Sequence, residues 1–210
     1  MFFPSCGVSA AFSKEDEQLT KYLLERFHIP STGCCRINHQ TLTDSDTAVV
    51  VCNTCASIIE ESSAAKKIKY AWEYIVEDEQ FVFPDYHGEA ITVQDCCMAR
   101  ERTASQQAVR TLLERMNFQV VELPNNRDKA DFCNLVTIAP KAANVRTAPK
   151  HFVPLTKNTV MTAEERSEFL KQHAKKITTQ RIVCSCNACY VALKDGGADV
   201  VHILQLLFPE

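Results

Sequence analysis

The cysteines constrain this chain more than any other feature of its sequence. Eleven cysteines occur in 210 residues, and most of them stand in adjacent pairs or in Cys-x-x-Cys motifs. The adjacent pairs are Cys34-Cys35 and Cys96-Cys97, and the Cys-x-x-Cys motifs begin at Cys52 and Cys186. Buried free cysteines that act as small apolar residues explain single positions such as Cys184, but not this grouping. The grouping favours metal binding.

The N-terminal residues give no sign of export. The segment MFFPSCGVSAAFSKEDE lacks a basic stretch, Pro4 interrupts its apolar part, and acidic residues follow almost at once. We therefore expect no secretory signal and a cytoplasmic protein whose thiols stay reduced, which argues against a disulfide scaffold.

The composition argues against nucleic acid as a partner and against a membrane span. The net charge is −3 and the pI is about 6.1, so the chain has no basic footprint for nucleic acid. No apolar run approaches the length of a membrane span. A hydrophobic content of 46% with 23% charged residues is ordinary for a globular protein with a substantial core.

Two segments of the chain carry the same order of features, which indicates an internal duplication. Each begins with a short strand that runs into a cysteine, continues with a helix containing Leu-Leu-Glu-Arg (23–26 and 112–115), and later has an apolar strand leading into Cys-x-x-Cys. Alternating strands and helices predict an α/β fold of two tandem related subdomains with mainly parallel sheets flanked by helices. We place the subdomains at residues 1–88 and 89–210, with an insertion around residues 140–178.

Local signals predict the loops and helix starts. Residues 140–160 contain three prolines and many polar residues, so we expect a loop or linker there. Thr162 and Glu165 have the spacing of a capping box for a helix reaching about Ile177. Ser13 and Asp16 resemble a capping box in the first half.

Two structural arguments favour a metal–sulfur site over isolated thiols. A Cys-x-x-Cys loop that opens a helix holds two sulfurs close together, and the helix N-terminus favours thiolate over thiol. Neighbouring side chains diverge, so the Cys34-Cys35 doublet suits different irons of one polynuclear cluster better than a single zinc ion. The candidate ligands are Cys6, Cys34, Cys35, Cys52 and Cys55 in the first half and Cys97, Cys133, Cys186 and Cys189 in the second, with Cys96 and Cys184 as neighbours that could substitute.

The arrangement resembles the cysteine-rich CCG domain family, which includes the tandem-repeat iron–sulfur subunit of heterodisulfide reductase. Each repeat in that family has an isolated cysteine after a strand, then Cys-Cys-Gly, then Cys-x-x-Cys. Arg36 and Asn134 stand here in place of the signature glycine, and Phe132 replaces one cysteine. The matching segments are Phe3-Pro4-Ser5-Cys6, Cys34-Cys35-Arg36 and Cys52-Asn53-Thr54-Cys55, then Asp95-Cys96-Cys97, Phe132-Cys133-Asn134 and Cys186-Asn187-Ala188-Cys189.

The resemblance implies a noncubane [4Fe–4S] cluster in the first repeat, while the second site could hold a cluster, hold zinc or be empty. It implies a redox protein that transfers electrons or reduces a disulfide, and an oxidoreductase acting on sulfur groups if the chain is an enzyme. The expected partners are an electron-donating iron–sulfur or flavin protein and a small disulfide or thiol substrate. The chain itself has no ferredoxin-type cysteine run and no glycine-rich nucleotide fingerprint.

Two other functions remain open from the sequence. A structural or regulatory zinc protein would join both Cys-x-x-Cys motifs in one four-thiolate site, which leaves Cys6 and the doublet unexplained. A metal-free thiol–disulfide oxidoreductase would also use Cys-x-x-Cys at a helix start, but neither motif contains the expected proline.

Arg36 and Arg100 could hold an anionic substrate, although surface charge is the simpler interpretation. The six histidines show no metal-ligand spacing.

Overall fold

The computed structural model describes residues 1–65, 67–158 and 160–209. Lys66, Thr159 and Glu210 belong to the predicted subdomains, and Thr159 also to the predicted loop and insertion; all three lie outside the described residues.

Short strands in both halves of the chain build two sheets. The strands are β1 (Phe2–Phe3), β2 (Thr47–Val50), β3 (Lys67–Tyr70), β4 (Ala90–Gln94), β5 (Gln119–Glu122), β6 (Arg181–Cys184) and β7 (Val200–His202). Among the described residues, the first sheet has the order β1-β2-β3 and the second has the order β5-β4-β6-β7. Neighbouring strands run parallel in both sheets.

Helices connect the strands and flank the sheets. They are α1 (Cys6–Ala11), α2 (Ser13–Phe27), α3 (Cys35–Asn38), α4 (Asn53–Ser62), α5 (Ala71–Glu77), α6 (Thr103–Arg115), α7 (Ala142–Thr147), α8 (Pro149–Phe152), α9 (Ala163–Ala174), α10 (Asn187–Asp195) and α11 (Ile203–Leu207). The predicted α/β class with parallel sheets flanked by helices is therefore confirmed. Within the described residues, no helix combines the length and the apolar character needed to cross a bilayer.

The strands that precede the Cys-x-x-Cys motifs are buried on both faces. Residues 48–51 are at most 1% exposed, and Ile182, Val183 and Cys184 are fully buried. Strands of a parallel sheet covered by helices on both faces have continuous apolar runs, not alternating ones, which explains these sequences. Each buried strand delivers its motif to the carboxyl edge of its sheet.

The two sheets repeat the same register, which supports the predicted duplication. In the first sheet Phe3 pairs with Val50, and Val50 pairs with Tyr70. In the second sheet the equivalent row is formed by Gln94, Cys184 and His202. Counting from these rows, Cys6 and Cys97 lie three residues after their strands, and Cys52 and Cys186 lie two residues after theirs. Cys6 and Cys97 therefore occupy equivalent positions in the two halves, as do Cys52 and Cys186.

One apolar core extends across the predicted boundary between the subdomains. Leu19 and Leu23 of α2 belong to the same buried cluster as Leu206 of α11. The Trp72 indole of α5 donates a hydrogen bond of 2.7 Å to the Ser105 hydroxyl of α6. Each predicted subdomain thus contains one sheet. The two halves pack against each other through contacts of α2 with α11 and of α5 with α6.

The insertion is more regular than predicted. The loop prediction for residues 140–160 is wrong, because α7 and α8 form there and a further helical turn covers Pro154–Lys157. Pro149 and Pro154 stand at the starts of helical turns, where a missing N–H costs no hydrogen bond. Two of the three prolines that suggested a loop therefore begin helical turns.

One of the two predicted capping boxes is present. The Thr162 hydroxyl accepts a hydrogen bond from the Glu165 backbone N–H at 3.2 Å, and the Glu165 carboxylate accepts one from the Thr162 N–H at 2.8 Å. The Ser13 capping box is wrong: α2 begins at Ser13 itself, after Phe12, and has no side-chain cap. The Asp16 carboxylate instead accepts a hydrogen bond of 2.6 Å from the Ser9 hydroxyl.

This difference gives a matched pair of variants. Thr162→Ala is expected to lower the free energy of unfolding by about 1 kcal/mol, because it leaves an N–H at the start of α9 without its partner. Ser13→Ala is expected to change that free energy by less than about 0.5 kcal/mol, since the exposed Ser13 caps nothing. Urea unfolding followed by circular dichroism measures both values. Equal losses in the two variants would contradict this assignment of the caps.

Candidate metal centres

Each Cys-x-x-Cys motif joins the carboxyl end of a buried strand to the first turn of a helix. Cys52 and Cys186 are the N-cap residues of α4 and α10, and Cys55 and Cys189 lie in the first turns of the same helices. Backbone N–H groups at a helix start have no partner within the helix, so they favour negative charge on the sulfurs held there. The predicted strand–motif–helix units are confirmed in both halves.

Four cysteines of the second half form a compact buried group. The sulfur atoms of Cys96, Cys133, Cys186 and Cys189 all lie within 4.8 Å of one another, and each of these residues is at most 6% exposed. Among the described residues, no other cluster of potential metal ligands meets this spacing. The arrangement could hold a metal ion or cluster. We call these four residues together with Cys97 the second cysteine group.

Cys97 lies against this compact set and is half-buried. Hydrogen bonds from the Cys133 and Cys96 thiols lower the pKa of Cys97 to about 4. Cys96, which the sequence offered only as a possible substitute, thus belongs to the compact set, and the predicted ligand Cys97 borders it. The Cys184 thiol points elsewhere, toward the carbonyl oxygens of Cys186 (3.6 Å) and Val201 (4.0 Å).

The compact set concentrates negative charge on one sulfur. Hydrogen bonds from Cys133, Cys189 and Cys96 lower the pKa of Cys186 well below its usual range. The Cys133 thiol donates the hydrogen bond to Cys186, and this raises the pKa of Cys133. Contacts with Cys133 and Cys186 raise that of Cys189. Within the compact set, Cys186 is therefore the sulfur that most favours the thiolate form, beside the half-buried Cys97 whose pKa is also lowered.

The five predicted cysteines of the first half are joined by contacts between their thiols, and we call them the first cysteine group. The Cys6 thiol contacts Cys34 and lies near Cys35. Cys35 in turn is hydrogen-bonded to Cys55, and Cys55 to Cys52. The group opens toward solvent at Cys6, which is exposed, and at Cys34, which is half-buried. The five cysteines between positions 6 and 55 therefore lie in one region of the structure.

Ser5 adds a contact to the first cysteine group that the sequence did not reveal. It is 8% exposed and has a positive φ of 68°, an uncommon conformation for a residue with a side chain. A hydrogen bond from Cys55 lowers the pKa of Cys52 to about 7, and the Ser5 side chain contributes in the same direction. The strained backbone thus turns a hydroxyl toward a Cys-x-x-Cys sulfur.

The two cysteine groups lie next to each other. The negative charge on Cys186 acts on Cys52, and the buried Tyr70 ring lies within electrostatic reach of both sulfurs. The Tyr70 hydroxyl donates a hydrogen bond of 2.5 Å to Asn53. Across the two halves, the Asn187 amide donates to the Gly7 carbonyl at 3.1 Å. Hydrogen bonds from Tyr70 to Asn53 and from Asn187 to Gly7 therefore fix the backbone beside the two cysteine groups.

His202 occupies the position in the second sheet that Tyr70 occupies in the first. Tyr70 is the last residue of β3 and the N-cap of α5, and His202 is the last residue of β7 and the N-cap of α11. Burial lowers the pKa of His202 to about 4, so the ring is neutral near Cys186 at neutral pH. Its Nε2 atom is buried without a hydrogen-bond partner among the described residues. No pattern in the sequence linked this histidine to the cysteines.

A buried ion pair fixes the loop that carries Cys96 and Cys97. The Arg110 guanidinium is 3% exposed and donates two hydrogen bonds to the Asp95 carboxylate, at 2.7 and 2.6 Å. It also donates two of 2.8 Å to Glu122. Asp95 additionally accepts the Arg127 N–H at 2.9 Å. Bidentate arginine–carboxylate pairs define orientation as well as distance, so this network sets where the doublet points.

When compared with protein-family models, with curated proteins and with solved structures, the chain gives no significant match to any of them. The resemblance to the CCG family therefore stays a prediction from the motifs.

The compact set predicts different effects for two buried cysteines. Cys189→Ala is expected to remove metal from the second cysteine group, because it deletes one of the clustered sulfurs. Cys184→Ala is the matched control and is expected to keep the wild-type metal content, because its sulfur faces backbone carbonyls. Metal per chain is measured by plasma mass spectrometry after anaerobic purification. Equal metal loss from the control would contradict the assignment.

Zinc affinity of the second cysteine group is expected to rise with pH. Cys133 and Cys189 have raised pKa values, so they carry protons at neutral pH. Metals bind thiolates, so binding must release these protons. Each released proton raises the apparent affinity about tenfold per pH unit below the thiol pKa. Anaerobic competition with a chromophoric chelator from about pH 6 to pH 8 measures this slope, and an affinity independent of pH would refute it.

Proposed function

We propose that the chain is an iron–sulfur redox protein with one metal–sulfur centre in each half. The observation that carries the proposal is the number of sulfurs: each cysteine group brings together five cysteines. A mononuclear tetrahedral site uses four ligands, so a fifth thiol in each group favours a polynuclear centre. Thiolates are also the ligands that iron–sulfur clusters select.

The first cysteine group suits the noncubane [4Fe–4S] cluster expected from the family resemblance. Cys34 and Cys35 stand at the start of α3, and Cys52 and Cys55 at the start of α4, so two separate helix starts would supply the ligands of a polynuclear centre. A bound cluster supplies single electrons and a direct contact for sulfur. The surrounding residues exclude water on the buried side through Cys35 and Cys55 and leave Cys6 facing solvent.

The proposed reaction is electron transfer coupled to a sulfur–sulfur bond. Reduction of a small disulfide breaks one S–S bond, consumes two electrons and two protons, and yields two thiols. The electrons come from an iron–sulfur or flavin partner protein, and the protons come from solvent at the open side. The adjacency of Cys52 and Cys186 favours participation of both halves, because the two centres would lie close enough to share electrons.

A zinc protein is the second candidate, and one observation favours it. In a tetrahedral site with Zn–S bonds of about 2.3 Å, the sulfurs are about 3.8 Å apart. The sulfurs of Cys96, Cys133, Cys186 and Cys189 are all within 4.8 Å of one another, so a small contraction would complete such a site. The second half would then hold a structural zinc ion, and redox chemistry would belong to the first half alone or be absent.

Anaerobic purification separates these candidates. We expect brown protein with visible absorption that bleaches on reduction with dithionite, and about four iron and four acid-labile sulfide per occupied centre. Cys35→Ala and Cys189→Ala are each expected to lose part of the iron, since they affect different groups, while Cys184→Ala keeps it all. Iron, sulfide and zinc are counted per chain. Colourless protein containing one zinc would refute the redox proposal.

A further inference from the structure

A cavity of about 360 Å³ opens beside Cys97, on the half-buried side of the second cysteine group. Four basic side chains line it, together with Cys97, Met98 and Glu101: Arg100, Arg102, Lys150 and His151. Cavities that bind small molecules fall in this size range and carry a few polar groups that orient the ligand.

Two separate parts of the chain line this basic pocket, and a third supports it. Arg100 and Arg102 follow the cysteine doublet, while Lys150 and His151 belong to α8 of the insertion. Glu61 of α4 fixes α8 by accepting the backbone N–H groups of Lys150 (2.9 Å) and His151 (2.8 Å). The insertion therefore forms one wall of the pocket, held against the helix that carries the first Cys-x-x-Cys motif.

Two of the four basic groups have a carboxylate partner. Arg102 pairs with Glu60, and the His151 ring nitrogens lie 2.5 Å from Glu61 and 3.2 Å from Glu60. These acidic residues hold their partners in place and offset their charge.

The other two basic side chains are Arg100 and Lys150. The Arg100 Nε atom donates to the Ala130 carbonyl at 2.5 Å, which orients the guanidinium. Within the described part of the chain, neither Arg100 nor Lys150 forms a salt bridge. Glu101 adds one carboxylate to the lining, and the Cys97 sulfur lies within electrostatic reach of Arg100. Arg100 and Lys150 are therefore the cations of the lining that have no carboxylate partner among the described residues.

The geometry points to this basic pocket as the binding site for an anionic small molecule, whose carboxylate or comparable acidic group Arg100 and Lys150 hold beside Cys97. This inference deepens the proposed function, because it assigns an anionic disulfide or thiol as the substrate class. Arginine and lysine together recognise such groups by charge-assisted hydrogen bonds.

Hexanedioate and hexane-1,6-diol test the pocket without any redox step. Hexanedioate has the length of a dithiodiacetate ion with its sulfurs replaced by methylene groups, so it cannot exchange with thiols. Calorimetry on the anaerobically purified wild-type protein at low salt is expected to show binding of the dianion at least about tenfold tighter than the diol. Equal binding of the two probes, or binding that is insensitive to added salt, would overturn the proposal.

Matched variants locate the binding. Arg100→Ala with Lys150→Ala is expected to weaken hexanedioate binding about tenfold or more. The charge-preserving exchange of Arg100→Lys with Lys150→Arg is expected to retain most of the binding. Lys171→Ala with Lys175→Ala removes the same charge from exposed positions of α9 and its C-cap and is expected to change nothing. Wild-type affinity in the Arg100/Lys150 alanine variant would refute the assignment.

A parallel assay keeps this inference separate from the redox proposal. The same proteins, supplied with electrons by reduced methyl viologen, are tested for reduction of dithiodiacetate and of the neutral bis(2-hydroxyethyl) disulfide. Charge-dependent hexanedioate binding without reduction of either disulfide would support the pocket and reject the redox function. Reduction of both disulfides at equal rates, with no hexanedioate binding, would support the redox function and reject the pocket.

Discussion

The structure depends on the parallel direction of the strands. In a parallel sheet all carboxyl ends lie at one edge, and residues that follow different strands meet there although they are far apart in sequence. Cys6 and Cys52 follow neighbouring strands of the first sheet, and Cys97 and Cys186 follow neighbouring strands of the second. Two separate cysteine groups arise because this arrangement occurs once in each half.

The parts of the site that depend on local signals could be predicted from the sequence. A buried apolar run followed by Cys-x-x-Cys and a helical stretch specifies its own geometry, since the strand ends and the helix begins within a few residues. The roles of Cys96 and Cys97 could not be separated in this way. Neighbouring side chains point in different directions, and the direction is set by the pairing of Asp95 with Arg110, which lies 15 residues further along the chain.

The structure of the insertion also could not be predicted from local sequence signals. Proline is compatible with both a loop and the first turn of a helix, so Pro149 and Pro154 alone could not decide between these structures. The decision comes from a distant contact, because the Glu61 carboxylate accepts the first N–H groups of α8. The basic pocket could not be predicted for the same reason: the sequence offers Arg100 as a possible contact for an anion, but no local pattern relates it to Lys150, which lies about 50 residues further along the chain.

The protonation of the cysteines links metal binding to the stability of the fold. Without metal, Cys186 is a buried thiolate stabilised by neighbouring thiols, and its charge acts on Cys52 of the other group. Burying several sulfurs is therefore tolerated only while most of them stay protonated. A metal centre replaces those protons with positive charge and permits all the ligand sulfurs to be thiolates. The free energy of metal binding then adds to that of folding, and because the groups are adjacent, filling one changes the electrostatic cost of ionising the other.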